Sequence, residues 1–337
     1  MARIAVVLFN LGGPDQLSSV EPFLFNLFND PAIITLPNPF RYLLAKWISK
    51  KRGPVAREIY KLLGGRSPLL DQTKDQATAL EDMLNSREDE YQVFITMRYW
   101  HPRAEEVVKA VKFYGPDEVV LLPLYPQFST TTTGSSVNEW QHQARKQGLD
   151  VLTSTICCYP ENTGFAKAYA DLITGKLEEI EGKLPKLLFS AHGLPEKLVE
   201  AGDPYPQQVT RSVTAILTAL DRDDLASQIC YQSRVGPMKW IGPDIEDEIK
   251  HAGADNLPVM IIPVAFVSEH SETLVELDIE YAKLAKECGI PEYSRVSTVT
   301  THPDFIGGLA ELVEHRQKGK ISGNCGHTRG YTHCFKA

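Results

Sequence analysis

Two histidines and a run of glutamates, each directly after an apolar stretch, carry the chemistry this chain offers. His192 lies in FSAHGLP at residues 189–195, between Ala191 and Gly193. Its small neighbours admit a close approach, and Pro195 stops the stretch. Further along, residues 268–272 read Ser-Glu-His-Ser-Glu and set His270 between Glu269 and Glu272. Neutral imidazole ligates divalent iron and accepts protons near neutral pH. A lone histidine is more often a satisfied core residue, but the strand-end position and the second cluster favour metal and proton chemistry.

Ser268 reads as an N-cap, and Glu269, Glu272, Glu276 and Glu280 follow at spacings of three, four and four. In an α-helix these carboxylates share one face, where each like-charge pair costs about 0.2–0.5 kcal/mol. Lys283 and Lys286 are the cations close downstream. A solvated acidic face is the ordinary fate of such a run. A stripe that begins beside His270 suits holding a hydrated cation or leading protons away from it.

Two further groups, Arg98-Tyr99-Trp100-His101-Pro102 and residues 232–243 with Met238 and Trp240, combine aromatic and sulfur side chains with Gly and Pro. Stiff apolar walls of this kind suit a large planar ligand, although either group taken singly also reads as core packing. Gly12-Gly13-Pro14 and residues 64–68 match neither the dinucleotide fingerprint nor the Walker pattern, which excludes nucleotide binding.

Apolar runs at residues 4–9, 93–97, 119–124, 187–190, 229–232 and 259–264 predict strands, and helical periodicity fills residues 72–84, 104–113, 164–177 and 205–220. Strand alternating with helix predicts an α/β fold with a parallel sheet, which gathers strand ends along one edge and so brings His192, His270 and the glutamates together. Residues 118–129 and 258–268 echo each other in hydrophobicity and proline placement, as do residues 97–99 and 231–234. This implies a duplicated half with a boundary near residue 150: one half over 1–150, a second over 151–315, and a tail over 316–337. Residues 22–52 stand apart, mixing aromatics with prolines and ending in Lys46, Lys50, Lys51 and Arg52. They read as a packed helical insertion or as a lip over an apolar pocket that touches a membrane surface.

A length of 337 residues exceeds the usual single core and fits two lobes. A net charge of −8 argues against nucleic acid as a partner, leaving small molecules. The first residues run straight into a strand pattern with no cleavage region, and no stretch is apolar enough to span a bilayer. A cytoplasmic protein is expected, and there six cysteines do not form a disulfide framework.

Several segments together resemble the ferrochelatase family in its bacterial form. They are LFNLGGP (8–14), GGRSPL (64–69), MRYWHP (97–102), YPQFSTTTTGSS (125–136), FSAHGLP, GDPYP (202–206), YQSRVGPMKWIGP (231–243) and PVAFVSEHSETLVELDIEY (263–281), all in family order. The resemblance covers roughly residues 4–312 and implies a chelatase-like fold of two Rossmann-like halves, each a parallel sheet flanked by helices, with a porphyrin cleft between them.

It further implies insertion of Fe2+ into protoporphyrin IX to give protoheme, with release of two protons, as the last step of heme synthesis. Fe2+ is then a substrate. The resemblance places His192 and Glu272 at the inner metal and proton site, facing each other across a gap wide enough for the macrocycle. Glu269, His270, Glu276 and Glu280 continue a polar path, and Tyr60, Arg98, Tyr99 and Trp240 line the porphyrin. Whether His192 takes pyrrole protons or delivers the metal stays open; proton acceptor is the preferred role, with Glu272 nearest the iron.

Some members hold a [2Fe-2S] cluster. In the animal enzymes one ligand follows the YPQ-type segment, where this chain has Thr130. The tail has only Cys325 and Cys334, and Cys157-Cys158 offers a possible internal donor; adjacent cysteines ligate one cluster poorly, so a cluster is not favoured. Coproporphyrin is the runner-up substrate. A non-catalytic tetrapyrrole or metal carrier and a cobalt-inserting chelatase are the rival functions. A peripheral position on the inner face of the membrane goes with the lip reading.

Overall fold

The computed structural model describes residues 2–86, 89–234, 236, 238–316 and 318–322. The chain divides into two compact units. One comprises the residues up to Cys158 together with a returning segment from Ala310, and the other is Tyr159–Leu309.

In the first unit, β1 (Arg3–Asn10), β2 (Glu90–Met97), β3 (Glu118–Pro123), β4 (Leu152–Ile156) and β9 (Ile321–Ser322) form one sheet in the order β2-β1-β3-β4-β9. Every pairing is parallel. The near-continuous apolar sequences of β1 and β3 follow from this, because a central parallel strand is covered on both faces. The helices Ala104–Tyr114 and Ser135–Gln147 cover one face, packing Val108, Val111 and Trp140 over Val7, Phe9 and Leu121. Phe9 meets Trp140 edge-on at 6.1 Å.

The second unit repeats this plan. β5 (Lys186–His192), β6 (Ser227–Gln232), β7 (Val259–Ile262) and β8 (Tyr293–Arg295) are all parallel, in the order β6-β5-β7-β8. Leu188, Cys230 and Ile261 meet Ile245 and Ile249 of the helix Ile245–Ala254 and Leu277. In both sheets the order reverses beside the first strand, between β1 and β3 and between β5 and β7, which is where open α/β sheets place ligands. After the third strand of each set the chain enters a π-helix, Thr130–Gly134 in one unit and Glu272–Tyr281 in the other.

The six expected strands and four expected helices are present, lengthened by a few residues at most ends. The boundary expected near residue 150 moves to Cys158, because β4 pairs with β3 and completes the first sheet. Residues 310–316 likewise return to the first unit instead of closing the second. There Arg316 forms a paired contact with Glu118 at 2.7 and 2.9 Å, and Ser154 donates to the same carboxylate at 2.6 Å. Both side chains are buried, so the cation and the hydroxyl together replace the water that Glu118 gives up.

Candidate functional site

His192 ends β5, and its register partner on β6 is Gln232. Gly193 follows because the chain is crowded there: a Cβ would lie 2.9 Å from the Gln232 carbonyl and 3.3 Å from the Trp240 ring. A bridge between Pro195 and Trp240 then holds the loop beyond β6 against the loop beyond β5. β7 ends at Ile262, and a short loop leads to Glu272, the first residue of the π-helix.

The structure brings the two ends together. His192 Nδ1 lies 2.8 Å from Glu272 Oε2, and His270 Nε2 lies 3.8 Å from the same oxygen. The expectation that His192 and Glu272 face each other across a macrocycle-wide gap is therefore corrected. They are in contact on one unit, because both project from the strand ends flanking the β5/β7 reversal. Their side chains are 42% and 26% exposed, open enough to meet a reactant. His270 is buried against Phe266, and its Nδ1 has no hydrogen-bond partner among the described residues.

Burial opposes the charged form of His192, yet the Glu272 carboxylate outweighs it, with help from Glu276, and the imidazole holds its proton above the ordinary value. Burial likewise works against the Glu272 anion, but His192 and then His270 overcome it and hold that carboxyl well below the usual range. Glu276 moves the other way, raised by burial and by the charge of Glu272. Two carboxyls on one helix are thus driven apart, one a fixed anion and the other ready to carry a proton.

The acidic face expected of Glu269, Glu272, Glu276 and Glu280 is shortened: the last three share one helix, while Glu269 lies before it. The N-cap position falls at Ser271 and not at Ser268, because the helix starts later than expected. Glu269 precedes the helix and accepts from Arg295 at 2.9 Å and from the Thr298 backbone at 2.8 Å. Its neutralising cation is this strand residue and not Lys283, which lies near Glu287 instead. Glu276 is gripped by Ser233, Gln232 and Tyr281. Glu280 is exposed. Sequence reasoning missed Arg295 and Tyr281 as partners, and it took Gln232 for part of an apolar wall.

The expected porphyrin-lining residues fare differently. Trp240 is half-buried against Gly193. Tyr60 is buried within the helix Phe40–Leu62. Tyr99 presents no surface at all and donates its hydroxyl to Asp30 at 2.8 Å. Arg98 pairs with the same Asp30 oxygen at 2.8 Å and donates to Ser135. In this structure Arg98 and Tyr99 anchor Asp30, and Arg98 keeps a partly exposed side chain. Cys157 and Cys158 are buried at the end of β4 with sulfurs 3.6 Å apart, and Cys325 and Cys334 lie outside the described residues. The reaction derived below uses none of these thiols.

A family model described as ferrochelatase matches residues 3–317. The chain belongs to the ferrochelatase family. Its relatives include proteins named ferrochelatase from Pelagibacter ubique, 51% identical over 95% of this chain and 93% of that one, and from a Wolbachia of Drosophila simulans, 54% identical over 91% and 98%. A solved structure of SirB from Bacillus subtilis with Fe3+ matches with a TM-score of 0.52 at 12% identity, over 93% of this chain and 95% of that one. At that identity the likeness speaks for the fold alone, and it is the chelatase fold of two Rossmann-like halves that the sequence led us to expect.

Proposed function

We infer that this chain is a ferrochelatase, inserting Fe2+ into protoporphyrin to give protoheme. The observation that carries the chemistry is the His192–Glu272 contact of 2.8 Å with the imidazole still 42% exposed. Metal insertion must remove two pyrrole protons while iron sheds its water. With Nδ1 turned to Glu272, Nε2 of His192 is the nitrogen left to take a pyrrole proton, and the fixed Glu272 anion stabilises the imidazolium that results. The Glu272 carboxylate and the unpartnered Nδ1 of His270 are donors for the incoming iron. Glu276, already inclined to bind a proton, passes the released protons on.

An anaerobic assay with ferrous iron tests this reading. Wild-type protein converts protoporphyrin to heme faster than it converts coproporphyrin, and His192→Ala loses about 10²-fold or more in kcat while remaining folded. Full activity in the His192→Ala protein would end the assignment of roles, and binding of porphyrin without turnover by the wild type would make the chain a carrier.

The helix Phe40–Leu62 supports peripheral membrane contact, from a cytoplasmic position. Phe40, Leu43 and Trp47 recur on one face and are 64%, 60% and 61% exposed, while Lys46, Lys50, Lys51 and Arg52 lie close by. Exposed aromatics beside cations suit insertion at the headgroup level of an anionic bilayer. No helix among the described residues is long and apolar enough to cross one. Co-sedimentation with anionic vesicles, reduced in Trp47→Ser, checks the contact.

A further inference from the structure

Glu276 and the first turn of the π-helix are held by a side chain that takes no part in the chemistry. Gln232 ends β6 and is fully buried. Its amide nitrogen donates to the Glu272 carbonyl at 3.2 Å and to Glu276 Oε2 at 3.0 Å, and its oxygen accepts the Ser190 hydroxyl at 2.6 Å. Ser190 and His192 project from the same face of β5, and Gln232 is in register with His192, so all three address one side of the sheet. Both donors of the amide are spent on the helix that carries Glu272 and Glu276, while Ser190 prevents the amide from rotating.

We propose that Gln232 is a positioning residue of this site, setting Glu276 and the Glu272 turn relative to His192 through its two amide donors. The proposal rests on the iron-inserting reading above. Ser233 and Tyr281 also hold Glu276, but neither bonds to the Glu272 turn. Only an amide of this length spans both groups: asparagine is a methylene short, and a glutamate would aim an acceptor at a carboxylate. A second outside donor lines up with it, because the Tyr293 hydroxyl reaches the Leu277 carbonyl at 2.6 Å, five residues beyond Glu272, which is the hydrogen-bond period of the π-helix.

The test is steady-state iron insertion by the full chain. Gln232→Met keeps the length and removes both donors. It lowers kcat about tenfold while leaving the porphyrin KM within about twofold, because only the reacting groups are displaced. Gln232→Glu does not restore the rate. In a Glu276→Gln background the further loss from Gln232→Met is smaller than in the wild type, because only the donor to the Glu272 turn still positions a reacting group. Ser190→Ala, which frees the amide to rotate without touching the helix, gives a smaller loss of the same kind and decides the matter if Gln232→Met fails to fold. Wild-type kcat in Gln232→Met or Ser190→Ala, or losses that multiply independently across the cycle, would overturn the role of Gln232 while the wild type remains active. An inactive wild type, or a fully active His192→Ala protein, would instead overturn the reading beneath it.

Discussion

The two units share a strand order and a π-helix after the third strand, yet they treat charge at the reversal edge in opposite ways. In the first, the Asp30 carboxylate takes Arg98, the Tyr99 hydroxyl and the Ser135 hydroxyl, and the Asp30 and Arg98 side chains are only 2% and 11% exposed. Burial, then the Asp30 charge, pushes the Tyr99 phenol well above its usual range, so it stays a donor. In the second, His192 and Glu272 stay partly open, and Glu276 adds a carboxyl whose hydrogen-bond partners among the described residues, Gln232, Ser233 and Tyr281, are all neutral. One edge is balanced and closed, the other unbalanced and accessible. A common scaffold supports both, and the residues at a few strand ends decide which becomes chemistry and which becomes anchorage.

The largest effect that sharpens this contrast is on rate. His192→Ala and Glu272→Gln each reduce kcat for iron insertion by about 10²–10⁴-fold, and the His192→Ala protein remains folded. Asp30→Asn gives the converse. Stripping the anion from a buried pair leaves Arg98 unmatched and costs about 3–5 kcal/mol, read as a lower denaturation midpoint. An Asp30→Asn protein as stable as wild type would erase the distinction.

The next effect is on pH. His192 must be neutral to accept a pyrrole proton, and nearby carboxylates raise its proton affinity, so kcat/KM climbs with pH through a midpoint above the ordinary 6.5. Glu276→Gln removes one of those anions, and the midpoint in a pH–rate profile moves to lower pH. The same pair acts on stability. Glu272, held below its unfolded value, adds stability above that value and loses it as acid is added. His192, held above its own, adds stability on the acid side and loses it as pH rises through the folded value. The smallest effect belongs to Glu280→Gln: with an exposed carboxylate, stability changes by about 0.5 kcal/mol or less and kcat within about twofold.

The strand ends were legible because buried parallel strands are written as apolar runs, and His192 and Glu272 follow two of them. β4 was not, since two of its three buried residues, Ser154 and Thr155, are polar and are satisfied by Glu118 and by the returning chain. The glutamate run was read as one α-helical stripe, whereas Glu269 lies before a π-helix that starts only at Glu272, a helix type that side-chain spacing does not distinguish. Gln232 and Tyr293 each bond a carbonyl of the π-helix from outside it, and neither is near it in sequence. The pairing of Glu269 with Arg295 and of Arg98 with Asp30 was equally hidden, since a carboxylate meets its cation across strands and loops that no local pattern announces.

The contact between Glu118 and Arg316 bears on synthesis. The carboxylate is translated 198 residues before the guanidinium that matches it, and Tyr159–Leu309 of the second unit are made in between. While the chain emerges, β3 must either wait or carry its anion inward with the Ser154 hydroxyl but no cation, so its charge is balanced only once the returning segment is made.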